Sequence, residues 1–181
     1  MKAANMQNDE QLMLEFQGGS REAFEELFSR YRNPIYGFFR RRLNHAARAE
    51  ELAQETFVVI IRGAERYEPK ATFRTYVFAI ALKQLWSERR KEMREARTAA
   101  EPFEEGRNAD PANGLWIRSA LSRMDPDQRE VLMLREYEQL SYEEIAEVLG
   151  VPLNTVRSRL FRARAELRTL LDEQSIKGVS R

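Results

Sequence analysis

No cysteine occurs among the 181 residues, and the only histidine is His45. Disulfides and thiolate metal sites are therefore excluded, and a histidine-built metal centre is argued against. No apolar run approaches the length that spans a bilayer. The opening MKAANMQNDEQ lacks an apolar core, which predicts no secretory leader. Charge of one sign is not in excess either: 30 Lys and Arg stand against 29 Asp and Glu, a net charge of +1. A chain that grips DNA unaided through its phosphates is usually more basic. Catalytic signatures are absent as well. Gly18-Gly19-Ser20 lacks the glycine–lysine spacing of a phosphate loop, and no nucleophile–base pair can be picked out. The expectation is a cytoplasmic protein that is not an enzyme and needs no cofactor, metal or small-molecule substrate.

What is present is charge and helical periodicity. Charged residues make up 33% and hydrophobic residues 43%, without the alternation of strands, so the predicted fold class is all-α. The charges are segregated. Basic clusters lie at residues 40–42, 89–91 and 157–168, and acidic residues gather at 50–55 and 101–110. Such segregation suggests nucleic acid on some faces and a protein on others. Pro102, Gly106, Pro111 and Gly114 fall in one stretch of little apolar content, residues 96–114, which reads as a flexible acidic linker. It separates two small helical domains, 8–95 and 115–174, each with a small core.

The N-terminal domain reads as a short leading turn containing Leu12, Met13 and Phe16, then three helices. The first starts near Ser20 and carries Phe24, Leu27, Phe28, Tyr31, Ile35, Phe38 and Phe39, with a kink expected at Pro34. The second spans about 47–64, with Leu52, Ala53, Thr56, Phe57, Ile60 and Ile61 at helical spacing. Pro69 marks a loop at 66–71. The third opens at a predicted cap, Thr72, carries Phe73, Tyr76, Val77, Ile80 and Ala81, and runs into the charged residues 87–97.

The C-terminal domain reads as four helices, one near 115–122. Asp125 caps the second, Pro126 takes its first position, and Gln128 is placed to close a capping box. The stretch SYEEIAEVLGVPLNTVRSRLFRAR, 141–164, carries the strongest signal. Ser141 and Glu144 form a second capping box, Gly150 permits a left-handed exit, and Val151-Pro152 ends that helix. A second helix starts near Asn154-Thr155 with Val156, Leu160, Ala163 and Leu167 on one face. From Leu153 to Leu171 five arginines face a single acid, Glu166. A solvated helix held by ion pairs alternates signs more evenly. This is a helix-turn-helix whose second helix has the size and charge to enter a major groove; the competing reading is a surface αα-hairpin.

These segments resemble the extracytoplasmic-function (ECF) sigma factors of RNA polymerase over roughly residues 8–173. The resemblance is carried by AFEELFSRYRNPIYGFF, AEELAQETFVVIIR, ATFRTYVFAIA and, most specifically, DPDQREVLMLREYEQLSYEEIAEVLGVPLNTVRSRLFRARAEL. It implies a dissociable initiation subunit that joins core RNA polymerase and directs it to promoter DNA, with an anti-sigma factor as a further partner. Glu51, Leu52, Gln54, Glu55 and Phe57 match the family's polymerase-binding helix. Glu51, Gln54 and Glu55 share a helix face, which suits a basic partner; Leu52 and Phe57 read equally as core. Thr155, Arg157, Ser158, Arg159, Phe161 and Arg162 match the positions facing the upstream (−35) element. Arginine can bond a guanine edge and Phe161 can touch a thymine methyl, while some of the arginines hold phosphates instead.

Reading the downstream (−10) element as single strand needs aromatic platforms and cationic grooves. Tyr67, Tyr76, Phe78, Trp86 and the basic run at 89–91 supply those types, though aromatics at helical spacing also read as core. Tyr76, Lys83 and Trp86 are the candidate contacts. The chain departs from the family here: Ala79-Ile80-Ala81-Leu82-Lys83 stands where Arg-Ile-Ala-x-Asn is common. Lysine donates but cannot accept, so Lys83 cannot make the paired contact of an asparagine. The 19-residue linker could extend to about 60 Å at ~3.3 Å per residue, more than the ~34 Å of one DNA turn. Two alternatives remain open: a stand-alone helix-turn-helix regulator, and a sigma-like decoy that binds a regulator without initiating.

Overall fold

The computed structural model describes residues 8–98 and 114–179, with side chains described for 8–95 and 117–172. The described residues form helices and no strand: α1 (Asp9–Gln17), α2 (Arg21–Arg40), α3 (Ala46–Gly63), a 3₁₀ turn (Ala64–Arg66), α4 (Phe73–Thr98), α5 (Gly114–Arg123), α6 (Pro126–Glu136), α7 (Tyr142–Leu149) and α8 (Leu153–Val179). The chain divides into two compact units, within Met1–Gly106 and Arg107–Arg181. Residues 99–113 of the expected linker, with the acids at 101–110, lie outside the described residues. Residues 96–98 of that span belong to α4, and Gly114 opens α5.

The first unit is built on α2 and α3. Ser20 caps α2 by accepting the Ala23 N–H at 3.2 Å. The helix continues through Pro34 to Arg40. Ala23, Leu27, Tyr31, Ile35, Phe38 and Phe39 recur at three- and four-residue spacing and are all buried. On α3 the buried stripe is Ala49, Leu52, Ala53, Thr56, Phe57 and Ile60; Ile61 instead points outward, 46% exposed. On α4 the stripe is Phe73, Val77, Phe78, Ala81, Leu82 and Leu85. Tyr76 and Ile80, expected with it, are only half-buried. Residues 12–16 lie within the helix α1 rather than in a turn. Asn8 caps it by accepting the Gln11 N–H at 2.7 Å, and Leu12 and Met13 anchor it in the core. Each large apolar side chain buried this way stabilises by about 1.5–3 kcal/mol.

The second unit packs α5, α6 and α7 against α8. Ala120, Leu121, Met124, Val131, Leu134, Leu140, Ile145, Val156, Leu160 and Ala163 form its core. Asp125 caps α6 through the N–H groups of Asp127 and Gln128, at 3.1 and 3.0 Å. The expected box with Gln128 does not close. Glu166 of α8 accepts the Asp125 N–H at 3.2 Å, so the donor that Gln128 would have taken is already used, and the buried Gln128 Oε1 has no partner. The second box does close: Glu144 N–H donates to Ser141 Oγ at 3.1 Å, and Ser141 N–H to Glu144 Oε2 at 2.8 Å. Gly150 then leaves the helix at φ 65°, ψ 36°, where a side chain is strained. The turn delivers α8 across α7.

Candidate polymerase and nucleic-acid interfaces

Three surfaces emerge. The first is the outer face of α3. Burial of the stripe from Ala49 to Ile60 turns Glu51, Gln54 and Glu55 outward, and all three are exposed. Leu52 and Phe57, matched to the same partner helix by resemblance, are 2% and 5% exposed. They are core residues: Phe57 meets Phe28 edge to face at 4.8 Å, so they hold the face in place rather than belonging to it. Val58 and Ile61, 40% and 46% exposed, carry the face onward as an apolar patch.

A residue that sequence reasoning missed organises this surface. Arg48 Nε and Nη2 donate to the two carboxylate oxygens of Glu88 on α4 at 2.8 and 2.7 Å. Its Nη1 reaches Glu51 at 2.8 Å and Glu55 at 3.3 Å. One guanidinium thus locks α3 to α4 by a bidentate pair and steadies two of the outward acids. The hydrogen bond from Arg48 holds the Glu88 carboxyl below its ordinary range, against the opposing effect of burial. Nothing in the spacing of Arg48 and Glu88 signals the pairing; it arises from the packing of two helices.

The second surface is a groove of about 620 Å³ where the end of α3 and the following loop meet α4. Tyr67 and Tyr76 form an aromatic wall, edge to face at 5.2 Å, and Arg62, Arg66 and Lys70 supply cations at its margin. Lys70 is paired with Glu68 at 2.5 Å. Gly63 leaves room for the Tyr76 hydroxyl, which a Cβ there would meet at 3.3 Å. Burial raises both phenols, Tyr67 to about 12, so both remain hydrogen-bond donors at neutral pH. The Tyr67 ring is 6% exposed, and its buried hydroxyl has no partner. Of the sequence candidates, Phe78 is core, against Phe38 at 5.8 Å. Lys83 and Trp86 are exposed on α4 but do not line the groove. Arg62, Arg66 and Lys70 were not anticipated, because loop and helix residues meet here only through the fold.

The third surface is α8. Val156, Leu160, Ala163 and Leu170 are buried, which turns Arg157, Ser158, Phe161 and Arg162 to solvent. Phe161 is 77% exposed. Arg157 touches only the neighbouring Asn154 side chain, at 3.3 Å, and Arg162 the Ser158 carbonyl, at 3.3 Å. Thr155 sits half-buried at the edge of this sector. Arg159 and Arg164 flank the buried stripe on either side and are bound to α6: Arg159 to Asp127 at 2.5 Å, Arg164 to Glu136 at 3.0 Å. Of the three arginines matched to the upstream element, Arg157 and Arg162 therefore project while Arg159, like the neighbouring Arg164, braces against α6, a division the linear motif does not reveal.

Both units have counterparts among known proteins. Residues 27–95 match the family profile described as sigma-70 region 2, and residues 114–167 match sigma-70, region 4. The chain is 34% identical over 167 residues to RNA polymerase sigma factor CarQ of Myxococcus xanthus, covering 89% of this chain and 96% of that one. It is 32% identical over 178 residues to the ECF RNA polymerase sigma-E factor of Haemophilus influenzae, covering 89% and 94%. Among solved structures, it resembles the sigma factor RpoE in complex with the anti-sigma factor NepR from Bartonella quintana (TM-score 0.74, 26% identity, 82% and 96% of the two chains). It also resembles CnrH in complex with the cytosolic domain of CnrY (TM-score 0.72, 26% identity, 91% and 97%).

Proposed function

This chain belongs to the extracytoplasmic-function branch of the sigma-70 family of RNA polymerase sigma factors, and from that premise we propose how its three surfaces divide the work. The chain binds core RNA polymerase, recognises promoter DNA and directs initiation. It acts in the cytoplasm, where the polymerase is, as a binding subunit without a reaction of its own.

Glu51, Gln54 and Glu55 dock the polymerase through a basic partner helix, with Arg48 holding their geometry. Complementary charge of this kind sets orientation and encounter rate. Arg157, Ser158, Phe161 and Arg162 read the upstream element in the major groove, where arginine can take both acceptors of a guanine and a ring can contact a thymine methyl. Thr155 contacts the backbone at the edge of that sector, and Arg159 joins it only by leaving Asp127. The Tyr67–Tyr76 groove takes an unstacked base of the downstream element, and its cations take the phosphates. Lys83 and Trp86 meet the strand further along α4. The two domains, residues 8–95 and 115–174, each serve one promoter element, with residues 96–114 as the tether. An anti-sigma factor silences the chain by covering the α3 and α8 faces, the surfaces initiation needs.

The observation that carries this reading is the exposed pair Arg157 and Arg162 around a Phe161 that is 77% exposed. These side chains have no packing role and suit a DNA groove. The test is transcription of fragmented genomic DNA by purified core polymerase, with and without this protein, followed by mapping of transcript starts. Discrete starts that need the protein and vanish with Arg157→Ala/Arg162→Ala are expected. Starts that survive the double substitution would overturn the assignment of α8.

A further inference from the structure

We propose that α1 is a brace that sets the shape of the strand-accepting groove, with Gln17 and Glu10 as its positioning residues. The proposal rests on the reading of that groove as the single-strand site. It concerns a helix that lies before the segment 27–95 matched by the family profile.

One wall of the groove is the stretch between α3 and α4, which carries Arg66, Tyr67 and Lys70. Beyond the 3₁₀ turn it lacks a helical ladder. Its own backbone offers it the Tyr67 N–H bond to the Ala64 carbonyl at 3.1 Å and the Lys70 N–H bond to Glu68 at 2.8 Å. Carbonyls at such a helix end have lone pairs that the backbone leaves unused, the Ala64 carbonyl having room for a second donor beside the Tyr67 N–H. Gln17, the last residue of α1, supplies the donors. Its Nε2 lies 2.9 Å from the Ala64 carbonyl, 3.1 Å from that of Glu65 and 3.1 Å from that of Tyr67. An amide has two hydrogens, so the three acceptors share them. A single side chain thereby gathers the exit of α3 and the first groove residue.

The other end of the stretch is held by the same helix. Glu10 accepts the Phe73 N–H at 2.6 Å, beside the Thr72 hydroxyl that caps α4 through the Thr75 N–H at 3.1 Å. Negative charge at a helix N-terminus is also favoured by the aligned peptide dipoles. The brace has a firm footing. Asp9 accepts from Arg30 at 2.5 Å and from the Tyr31 hydroxyl, and Leu12 and Met13 are 3% and 0% exposed.

Tyr67 is where the brace meets the chemistry. Gln17 fixes its carbonyl, while its ring packs on Tyr76 at 5.2 Å and Phe73 at 6.4 Å. A shift of the Tyr67 backbone therefore moves both aromatic walls. Gln17 and Glu10 touch no DNA in this scheme; they act through Tyr67.

The test uses holoenzyme assembled with full-length protein. The probe is a fluorescent single-stranded oligonucleotide carrying the downstream element found by start mapping. Gln17→Ala should weaken strand binding by up to about fivefold, because removing ~1 kcal/mol of stabilisation from the binding-ready groove lowers its population. It should leave affinity for the upstream duplex unchanged and speed hydrogen exchange of the amides at 67–72. Gln11→Ala, on the exposed side of α1, should match the parent, and Tyr76→Ala reports the groove itself. Loss of strand binding with Tyr76→Ala but not with Gln17→Ala would overturn the brace alone. Parental binding by both would overturn the groove reading and the brace with it. Equal loss of duplex and strand binding with Gln17→Ala would also overturn the brace, by showing a general loss of fold.

Discussion

The two units differ in how many of their aromatic residues they bury. In the first, Phe38, Phe39, Phe73 and Phe78 are at most 1% exposed, and rings pack edge to face, as Phe38 does with Phe39 at 5.2 Å. In the second, the buried side chains named above are aliphatic or Met, Tyr142 is half-buried, and Tyr137 and Phe161 lie toward solvent at 46% and 77%. The outward charges are reversed as well: carboxylates on α3, arginines on α8. The contrast teaches that an aromatic side chain carries no fixed meaning. Where rings can reach one another they stabilise a small core beyond their area. Where a ring stands alone among arginines, as Phe161 does, it adds nothing to the core.

The sharpest way to break the contrast is to remove a ring from each side. Phe38→Ala should cost the first unit about 3–5 kcal/mol, since truncation of a buried ring leaves a cavity. Phe161→Ala should leave stability within ~0.5 kcal/mol, as at other exposed sites, while weakening promoter binding. Urea unfolding of each variant decides. A small loss for Phe38 or a large one for Phe161 would reverse the assignments.

Next in size is Arg48→Ala. Glu88 is 8% exposed, and stripping its bidentate partner leaves a nearly buried carboxylate, at a cost of about 2–3 kcal/mol. The linkage has a definite sign. The folded carboxyl of Glu88 lies below its ordinary 4.5, so its stabilisation is present above that pH and fades as pH falls through the folded value. Glu92, raised by burial, acts in the opposite direction. Glu88→Gln should flatten the acid limb of the stability curve, and an unchanged limb would remove the pair from that role.

Gly150→Ala probes the turn of the second unit. A Cβ there meets nothing within 4 Å, so the expected loss of about 1 kcal/mol comes from the left-handed backbone alone. Asp127→Asn gives the smallest effect and a different readout. Freeing Arg159 adds one cation to the DNA face, so the salt slope of DNA binding should steepen by about 0.9, the value for one more phosphate neutralised. An unchanged slope would mean that Arg159 stays against α6 without its carboxylate.

The all-helical class, the helix-turn-helix, its capping box and its glycine exit were legible because they depend on residues a few positions apart. So was the outward set Glu51, Gln54 and Glu55, which follows from helical period. Leu52 and Phe57 show where that legibility ends: a family motif names positions, and only packing separates those that face out from those that hold the helix. Gln128 shows the same limit. The local box it completes in sequence is displaced by Glu166, 41 residues away from the cap. The groove at Tyr67 and Tyr76, the Arg48–Glu88 lock and the Gln17 brace each join segments separated by loops, and no local spacing encodes them. The departure at Ala79 and Lys83 leaves an exposed lysine on α4, outside the groove.

The central claim is that polymerase docking and reading of the upstream element reside on different units. Two titrations test it directly: the affinity of the protein for core polymerase, and that of the assembled holoenzyme for an upstream-element duplex. Glu51→Ala/Gln54→Ala/Glu55→Ala should weaken only the first, by about tenfold or more. Arg157→Ala/Arg162→Ala should weaken only the second, by about a hundredfold. A crossed pattern of loss and retention is the predicted result. Either variant losing both affinities, or neither losing its own, would contradict the division.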